Sequence, residues 1–410
     1  MHNLRVLVHN RTVNQNVSDT KLLRPTWTEI SLSKLQRNYA RVRRLAGGRS
    51  VMAVVKADAY GHGAVQVAKV LAEPGEHGAP PVDWFGVATV EEAIELRAAG
   101  VEQPILLLGG LYMSDPADLI EHRLTPSVSS TARLDTYAAC ARRYGKPIEF
   151  HLKVDTGMGR LGVPLDHLGA FLKRYRELTA AAASPGLRMT GFFSHLASAE
   201  DMVSTQTDEQ VVRFYRALED VRAHGLQPEW VHLSNSAALL SGRRFDSENL
   251  VRAGALLYGM CLPLISPPGS GPSGLEEFEP ILTFKSRVVY LKDVPSGAPM
   301  GYGAAFHTRR PSRIATVPVG YADGLSRALS NRGRGVVRGR PAPIVGNISM
   351  DLTLFDVTDV PGVEVGDEIV LIGSMDGCAI TALDLARQIS TVPYEVLCAI
   401  GKRVPRLYVD

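Results

Sequence analysis

From residue 25 to about residue 260 the chain alternates short apolar runs with stretches of helical spacing. Runs at 51–56, 84–88, 105–108, 125–128, 148–154, 189–194, 230–233 and 250–251 have the length and the apolar, β-branched content of buried strands. Segments with apolar residues three and four apart lie between most of them, among them 90–99, Thr131–Tyr144, 165–178 and 207–224. Upstream, Ser31 and Ser33 precede Leu35, Tyr39, Val42 and Leu45 at helical spacing, and Gly47-Gly48 ends that pattern. Eight strands alternating with helices predict an α/β fold, here a (β/α)8 barrel, although a doubly wound open sheet would use the same alternation. No GxGxxG opens a strand-to-helix turn, so the main mark of a dinucleotide site is missing.

The rhythm breaks after Met260. Residues 262–280 include Pro263, Pro267, Pro268, Gly269, Gly271, Pro272 and Gly274, the composition of a linker or long loop. Short strands separated by turn residues follow at 282–291, 313–319, 334–338, 342–348, 353–356 and 368–372, then a helix at 382–389 and a strand at 402–408. The expected organisation is a polar extension over 1–24, a barrel over 25–262 and a smaller β-rich domain over 263–410. The first strand and helix are free to pack with that second domain.

Composition narrows the function. Of 410 residues, 45% are hydrophobic, enough for two sizeable cores. With 45 basic and 42 acidic residues the formal charge is only +3, so nucleic acid is a poor partner. Cys140, Cys261, Cys378 and Cys398 are far apart and form no CxxC pair, so no structural metal site or disulfide framework is expected. The opening residues lack a secretory pattern, and no apolar run reaches membrane-spanning length. A cytoplasmic protein with no membrane partner is expected.

The predicted strands end on polar residues that do not belong in a core. The first ends on Lys56, followed by Tyr60, Gly61, His62 and Gly63. A lysine at a strand end is usually a surface group, but one held against a low-dielectric core can act as a base or Schiff-base former. After 148–154 come Lys153, Asp155, three glycines and Arg160, whose planar guanidinium suits a carboxylate. His195 ends another strand, where it could stack on a flat ring, relay a proton or serve as a core histidine. Asn235 and Ser236 can cap a turn or hold a phosphate. Arg252 ends the eighth strand, and Gly254-Ala255 offers backbone N–H groups where barrels commonly bind phosphate. Tyr302, between two glycines, reads as an exposed tip.

The stretch Val51-Met-Ala-Val-Val-Lys-Ala-Asp-Ala-Tyr-Gly-His-Gly63 resembles the cofactor-lysine motif of bacterial alanine racemases. Further motifs of that family match in order from residue 25 to 410, including Lys153-Val-Asp-Thr-Gly-Met-Gly-Arg-Leu-Gly162, Met300-Gly-Tyr-Gly-Ala-Ala-Phe306, Ile348-Ser-Met-Asp-Leu352 and Pro393-Tyr-Glu-Val-Leu-Cys398. The resemblance implies pyridoxal 5'-phosphate (PLP) carried on Lys56, with Tyr60, Tyr394, Ser236, Gly254 and Ala255 at its phosphate and Arg252 at its pyridine nitrogen. It implies Lys56 and Tyr302 as opposed bases, with His195 and Arg252 as the cationic neighbours of Tyr302. Arg160 and the Met350 backbone would meet the substrate carboxylate, and Lys153 stands where the family often carries a carbamylated lysine. Asn235 belongs to the same cofactor-binding set. The implied protein is a head-to-tail homodimer with shared sites, supplying D-alanine for peptidoglycan. Two departures stand out: Ala253 where proline is expected, and Ser349 where many relatives have cysteine. A serine or broad-specificity racemase is the nearest alternative. A PLP-dependent decarboxylase would pair the ring nitrogen with a carboxylate rather than Arg252, and a PLP carrier would lack the second domain.

Overall fold

The computed structural model describes residues 22–75, 78–180, 186–261, 263–266 and 278–410. The expected 1–24 extension lies almost wholly outside these residues, as does much of the 262–280 loop. Eight parallel strands form the barrel: Ser50–Val54, Trp84–Val87, Ile105–Leu107, Leu124–Val128, Ile148–Asp155, Leu187–Phe193, Trp230–His232 and Leu250–Ala253. Each falls within about two residues of its sequence expectation. Leu250–Ala253 pairs back onto Ser50–Val54, and Asn249 N–H donates to Val231 O (3.1 Å) and Arg252 N–H to Ser234 O (3.1 Å) across the last gap. The apolar residues that made these runs legible are buried: Val51, Met52, Phe85, Leu106 and Leu152 have no exposed surface. Met52, Trp84, Leu106 and Leu250 form an apolar plug of their own, so this is a filled barrel and not a pore.

The first strand, Thr26–Ser31, belongs to another sheet. It lies antiparallel to Leu282–Arg287 and parallel to Arg406–Val409, so the two ends of the described chain meet in one ladder. The helix Leu32–Ala46 then leads into the barrel, capped by Ser31 Oγ accepting from Lys34 N–H (3.3 Å) and ended by Gly47 in the left-handed region. Leu282–Arg287 also pairs with Glu368–Met375, which in turn pairs with Arg334–Val337.

Three expectations in this mostly-β half need correction, the first being the final strand, expected at 402–408, which is Arg406–Val409 and follows a turn. Residues 282–291 are two strands: Leu282–Arg287 stays in the large sheet, while Tyr290–Val294 pairs with Ser312–Val317 in a separate three-stranded sheet. The chain changes sheets at Val288, which is buried and donates its N–H to Asp367 O (2.9 Å). Residues 342–348 are not one strand. The strand is Arg340–Pro343, carrying two prolines that lack ladder donors, and the chain beyond turns toward Met350.

Ile30 is fully buried in the joining ladder, whereas Tyr290 is 57% exposed on the smaller sheet. Ile30→Ala is expected to cost about 2–5 kcal/mol and Tyr290→Ala about 0.5 kcal/mol or less. Thermal unfolding of the two variants side by side checks this ordering, and equal losses would contradict it.

Candidate active site

The carboxyl ends of the barrel strands surround a cavity of about 600 Å³. Lys56, Tyr60, Lys153, Arg160, His195, Asn235, Ser236, Arg252, Gly254, Ala255 and Tyr394 all line it, brought together from sequence positions up to 338 residues apart (394 − 56). The barrel supplies all of these except Tyr394, which arrives on the short helix Pro393–Cys398 of the C-terminal half. Tyr302 and Met350 do not join them within one chain.

Lys56 opens a turn that the sequence does not announce. Ala57, Asp58, Ala59 and Tyr60 all have φ between 53° and 55°, a left-handed turn built without glycine. Such a conformation costs an L-residue roughly 1–2 kcal/mol, so neighbours must impose it. Glu92 accepts from Ala57 N–H (2.7 Å), and Asp58 Oδ1 accepts from Ala64 N–H (2.8 Å). His62 is fully buried, bonded through Nδ1 to Ala59 O (2.8 Å) and stacked on Tyr258 with ring centres 4.7 Å apart. The Arg406 guanidinium donates to Gly61 O at 3.1 and 3.2 Å. The result aims the Lys56 amine into the cavity. Burial, and then the charge of Arg160, lowers its pKa from the ordinary lysine value.

Arg252 is the most enclosed cation. Its NH1 donates to His232 Nδ1 (2.9 Å) and its NH2 to Ser194 O (2.8 Å), Leu233 O (3.1 Å) and His195 Nδ1 (3.3 Å). Burial lowers its pKa to about 10, which leaves it charged at neutral pH. His195 is held neutral by burial and by Arg252. Lys153 is buried, its Nζ lies 5.4 Å from the Phe193 ring centre, and burial followed by the charges of Arg252, Arg160 and Lys56 brings its pKa down to about 8. Sequence reading did not single out His151 or give His232 a role; both are fully buried in this network.

At the other end, Tyr60 and Tyr394 lie with ring centres 5.8 Å apart. Asn235 caps the turn Ser236–Leu240 by accepting from Ala238 N–H (3.0 Å), and Ser236 Oγ accepts from Gly254 N–H (2.9 Å). A Cβ on Gly254 would lie 2.8 Å from Tyr60 Oη, so a side chain there would fill the space between hydroxyls and backbone. Hydroxyls with backbone N–H groups, an amine and a guanidinium thus share one cavity. This set fits a phosphate, an aldehyde carbon and a ring nitrogen on one planar cofactor.

Tyr302 is 75% exposed on a tight turn between Gly301 and Gly303, both at positive φ, and Met350 is 52% exposed. Asn347 Nδ2 donates to Tyr302 O (2.9 Å), and Met350 O accepts from Ala322 N–H (3.2 Å), so the two tips form one block. His195 and Arg252 line the barrel cavity of the same chain.

A barrel with an amine, a caged guanidinium and a phosphate cradle at its mouth defines a barrel-type cofactor enzyme. The model of the alanine racemase N-terminal domain matches residues 30–261, and that of the C-terminal domain matches 281–408. The chain belongs to the alanine racemase family. It is 40% identical to alanine racemase 2 of Caldanaerobacter subterraneus subsp. tengcongensis, over 94% of this chain and 95% of that protein. Among solved structures it is similar to alanine racemase from Streptomyces lavendulae (TM-score 0.84, 34% identity, 95% and 98% of the chains covered). It is also similar to the Bartonella henselae alanine racemase with covalently bound pyridoxal phosphate (TM-score 0.79, 30% identity, 94% and 99% covered). Among the described residues, no helix is long and apolar enough to cross a membrane.

Two predictions follow from this geometry. In a right-handed helix Ala→Gly costs about 1 kcal/mol; Ala57→Gly should not, because glycine is at home in the left-handed region. Ala57→Val should lower stability by about 1–3 kcal/mol. Thermal midpoints decide, and a clear loss for the glycine variant would contradict the left-handed turn. The second concerns pH. His62, His151, His195 and His232 have pKa values pushed below 6.5, chiefly by burial. Below about pH 6.5 the unfolded chain binds protons that the folded chain refuses, so stability falls as pH falls. Each such imidazole contributes up to about 1.4 kcal/mol per pH unit until its folded pKa is reached. Thermal midpoints that stay level between about pH 7 and pH 5 would contradict this.

Proposed function

We propose that the chain interconverts L-alanine and D-alanine with PLP as cofactor, using Lys56 and Tyr302 as bases on opposite faces of the substrate Cα. The observation that carries the reading is one cavity that gathers a depressed lysine, a caged arginine, and hydroxyls beside backbone N–H groups. When bound, PLP makes the substrate's Cα–H acidic by drawing its electrons into the ring. This chain's residues do the rest. Tyr60, Tyr394, Ser236 and the Gly254 and Ala255 backbone hold the phosphate, with Asn235 bracing the turn. Lys56 would hold the cofactor and would move the proton of the D-enantiomer at Cα. Tyr302 Oη serves the L-enantiomer from the other face. Arg252 donates a hydrogen bond to the ring nitrogen without giving up a proton, which keeps the ring a weak electron sink. That favours lifting and replacing one proton over decarboxylation or transamination. His195 lies against the cofactor ring, and Arg160 with the Met350 backbone orients the substrate carboxylate. Lys153, with its depressed pKa, is suited to carbamylation, which would give Arg160 an anion to pair with.

Tyr302 and Met350 face outward, so a second copy of the chain supplies them in a head-to-tail homodimer, each barrel completed by its partner's C-terminal unit. On this reading the barrel unit covers 25–262 and the β-rich unit 263–410, with Thr26–Ser31 crossing into the latter's sheet. D-alanine made in the cytoplasm would serve peptidoglycan synthesis. The test is racemisation of L-alanine, L-serine and L-lysine by the purified protein, with visible absorbance of the lysine-bound cofactor recorded on the same samples. Fast alanine turnover and little with the others is expected. Tyr302→Phe should lose on the order of 10²–10⁴-fold in both directions while keeping its colour. A coloured protein that turns over none of the three would sink the racemase reading.

A further inference from the structure

The barrel interior below the cavity holds a chain of polar rings that the proposed chemistry does not use. Arg252 NH1 lies 2.9 Å from His232 Nδ1, and His232 Nε2 lies 2.9 Å from His151 Nδ1. A guanidinium only donates. His232 Nδ1 must therefore accept, so its proton sits on Nε2. That N–H points at His151 Nδ1, which must accept in turn, so the proton of His151 sits on its own Nε2. This last nitrogen is buried and has no hydrogen-bond partner among the described residues. A buried, unpaired N–H is costly, and its surroundings look built for the ring. A Cβ on Gly191 would lie 2.3 Å from the His151 imidazole, so only glycine leaves room for it. The Trp84 ring packs against His151, with ring centres 5.0 Å apart and planes tilted by 54°. His232 stacks flat on Phe193 (4.4 Å, 9°), and Phe193 also carries the Arg252 guanidinium 5.4 Å from its centre. With packing on these sides the rings have little freedom to turn over.

We propose that His232 and His151 are positioning residues that fix Arg252 as a one-way hydrogen-bond donor toward the ring nitrogen of the cofactor. The inference rests on the PLP reading above and deepens it. Polarity runs from Arg252 to His232 to His151 and ends at the unpaired N–H beside Trp84. If His232 reversed, its Nδ1–H would face the guanidinium and push it off its bearing; if His151 reversed, its Nδ1–H would face the His232 Nε2–H. The neutral state of both rings, enforced by burial and by Arg252, agrees with this order.

The direct test is ¹⁵N NMR of the histidine-labelled holoenzyme at neutral pH. His232 and His151 should each be protonated on Nε2 and bare on Nδ1. An imidazolium, or a proton on either Nδ1, overturns the inference. Two variants read the effect on the cofactor. His151→Leu strands the His232 N–H, and PLP should dissociate about tenfold more readily, with a shifted visible absorbance. His151→Gln keeps an acceptor and should return both properties to near wild type. A leucine variant with wild-type absorbance and PLP release, or a glutamine variant as impaired as the leucine one, overturns the inference. If the leucine variant does not fold, the NMR tautomers and the glutamine variant still decide. Wild-type protein that binds no PLP defeats the parent reading and this inference together; normal PLP binding with a reversed tautomer defeats this inference alone.

Discussion

Crowded positive charge governs the barrel mouth. Lys56, Lys153, Arg160 and Arg252 converge on one cavity, and among the described residues Glu200 is the only acidic side chain on its wall. Like charges in a poorly solvated space repel strongly. Three kinds of relief are visible or implied. The two lysines give up protons more readily than usual, the histidines stay neutral, and the cavity favours anions. An anion entering the cavity would relieve the same field. Burial first, and then the neighbouring cations, depress the two lysines, and the same cations favour an anion in the cavity.

Geometry is fixed by strain held from outside. The left-handed turn after Lys56 would not persist alone. It is gripped by Glu92 from the next barrel helix, by Asp58 within the turn, and by Arg406 from the far end of the chain. A Cβ on Gly61 would lie 2.5 Å from Leu397 O, so the helix carrying Tyr394 rests directly on this turn. The barrel positions the amine and the C-terminal half locks it.

The eight barrel strands were legible because each is a short apolar run buried on both faces, and those runs end at the polar residues lining the cavity. The β-rich half was less legible. A single apolar run at 282–291 hides a change of sheet, because a pattern of side chains does not say which neighbour a strand pairs with. The left-handed turn could not be read, since Ala-Asp-Ala-Tyr carries no glycine to signal it. His151 and His232 lie in apolar strands, where a packed histidine and a network histidine look alike; only the Gly191 that makes room for one of them was a trace. The motif resemblance pointed to Tyr394, which lines the cavity, when periodicity could not, and the outward position of Tyr302 and Met350 is not something the sequence pattern prints.

The ladder between Thr26–Ser31 and Arg406–Val409 has a consequence for how the enzyme is made. The barrel is encoded early and can close while the chain is still being synthesised. The turn after Lys56 cannot be locked until residues 394–409 have emerged, because Tyr394, Arg406 and the partner strand of Thr26–Ser31 all lie there. A chain without residues 394–409 would lack both the Arg406 grip on the turn after Lys56 and the Tyr394 side of the cavity.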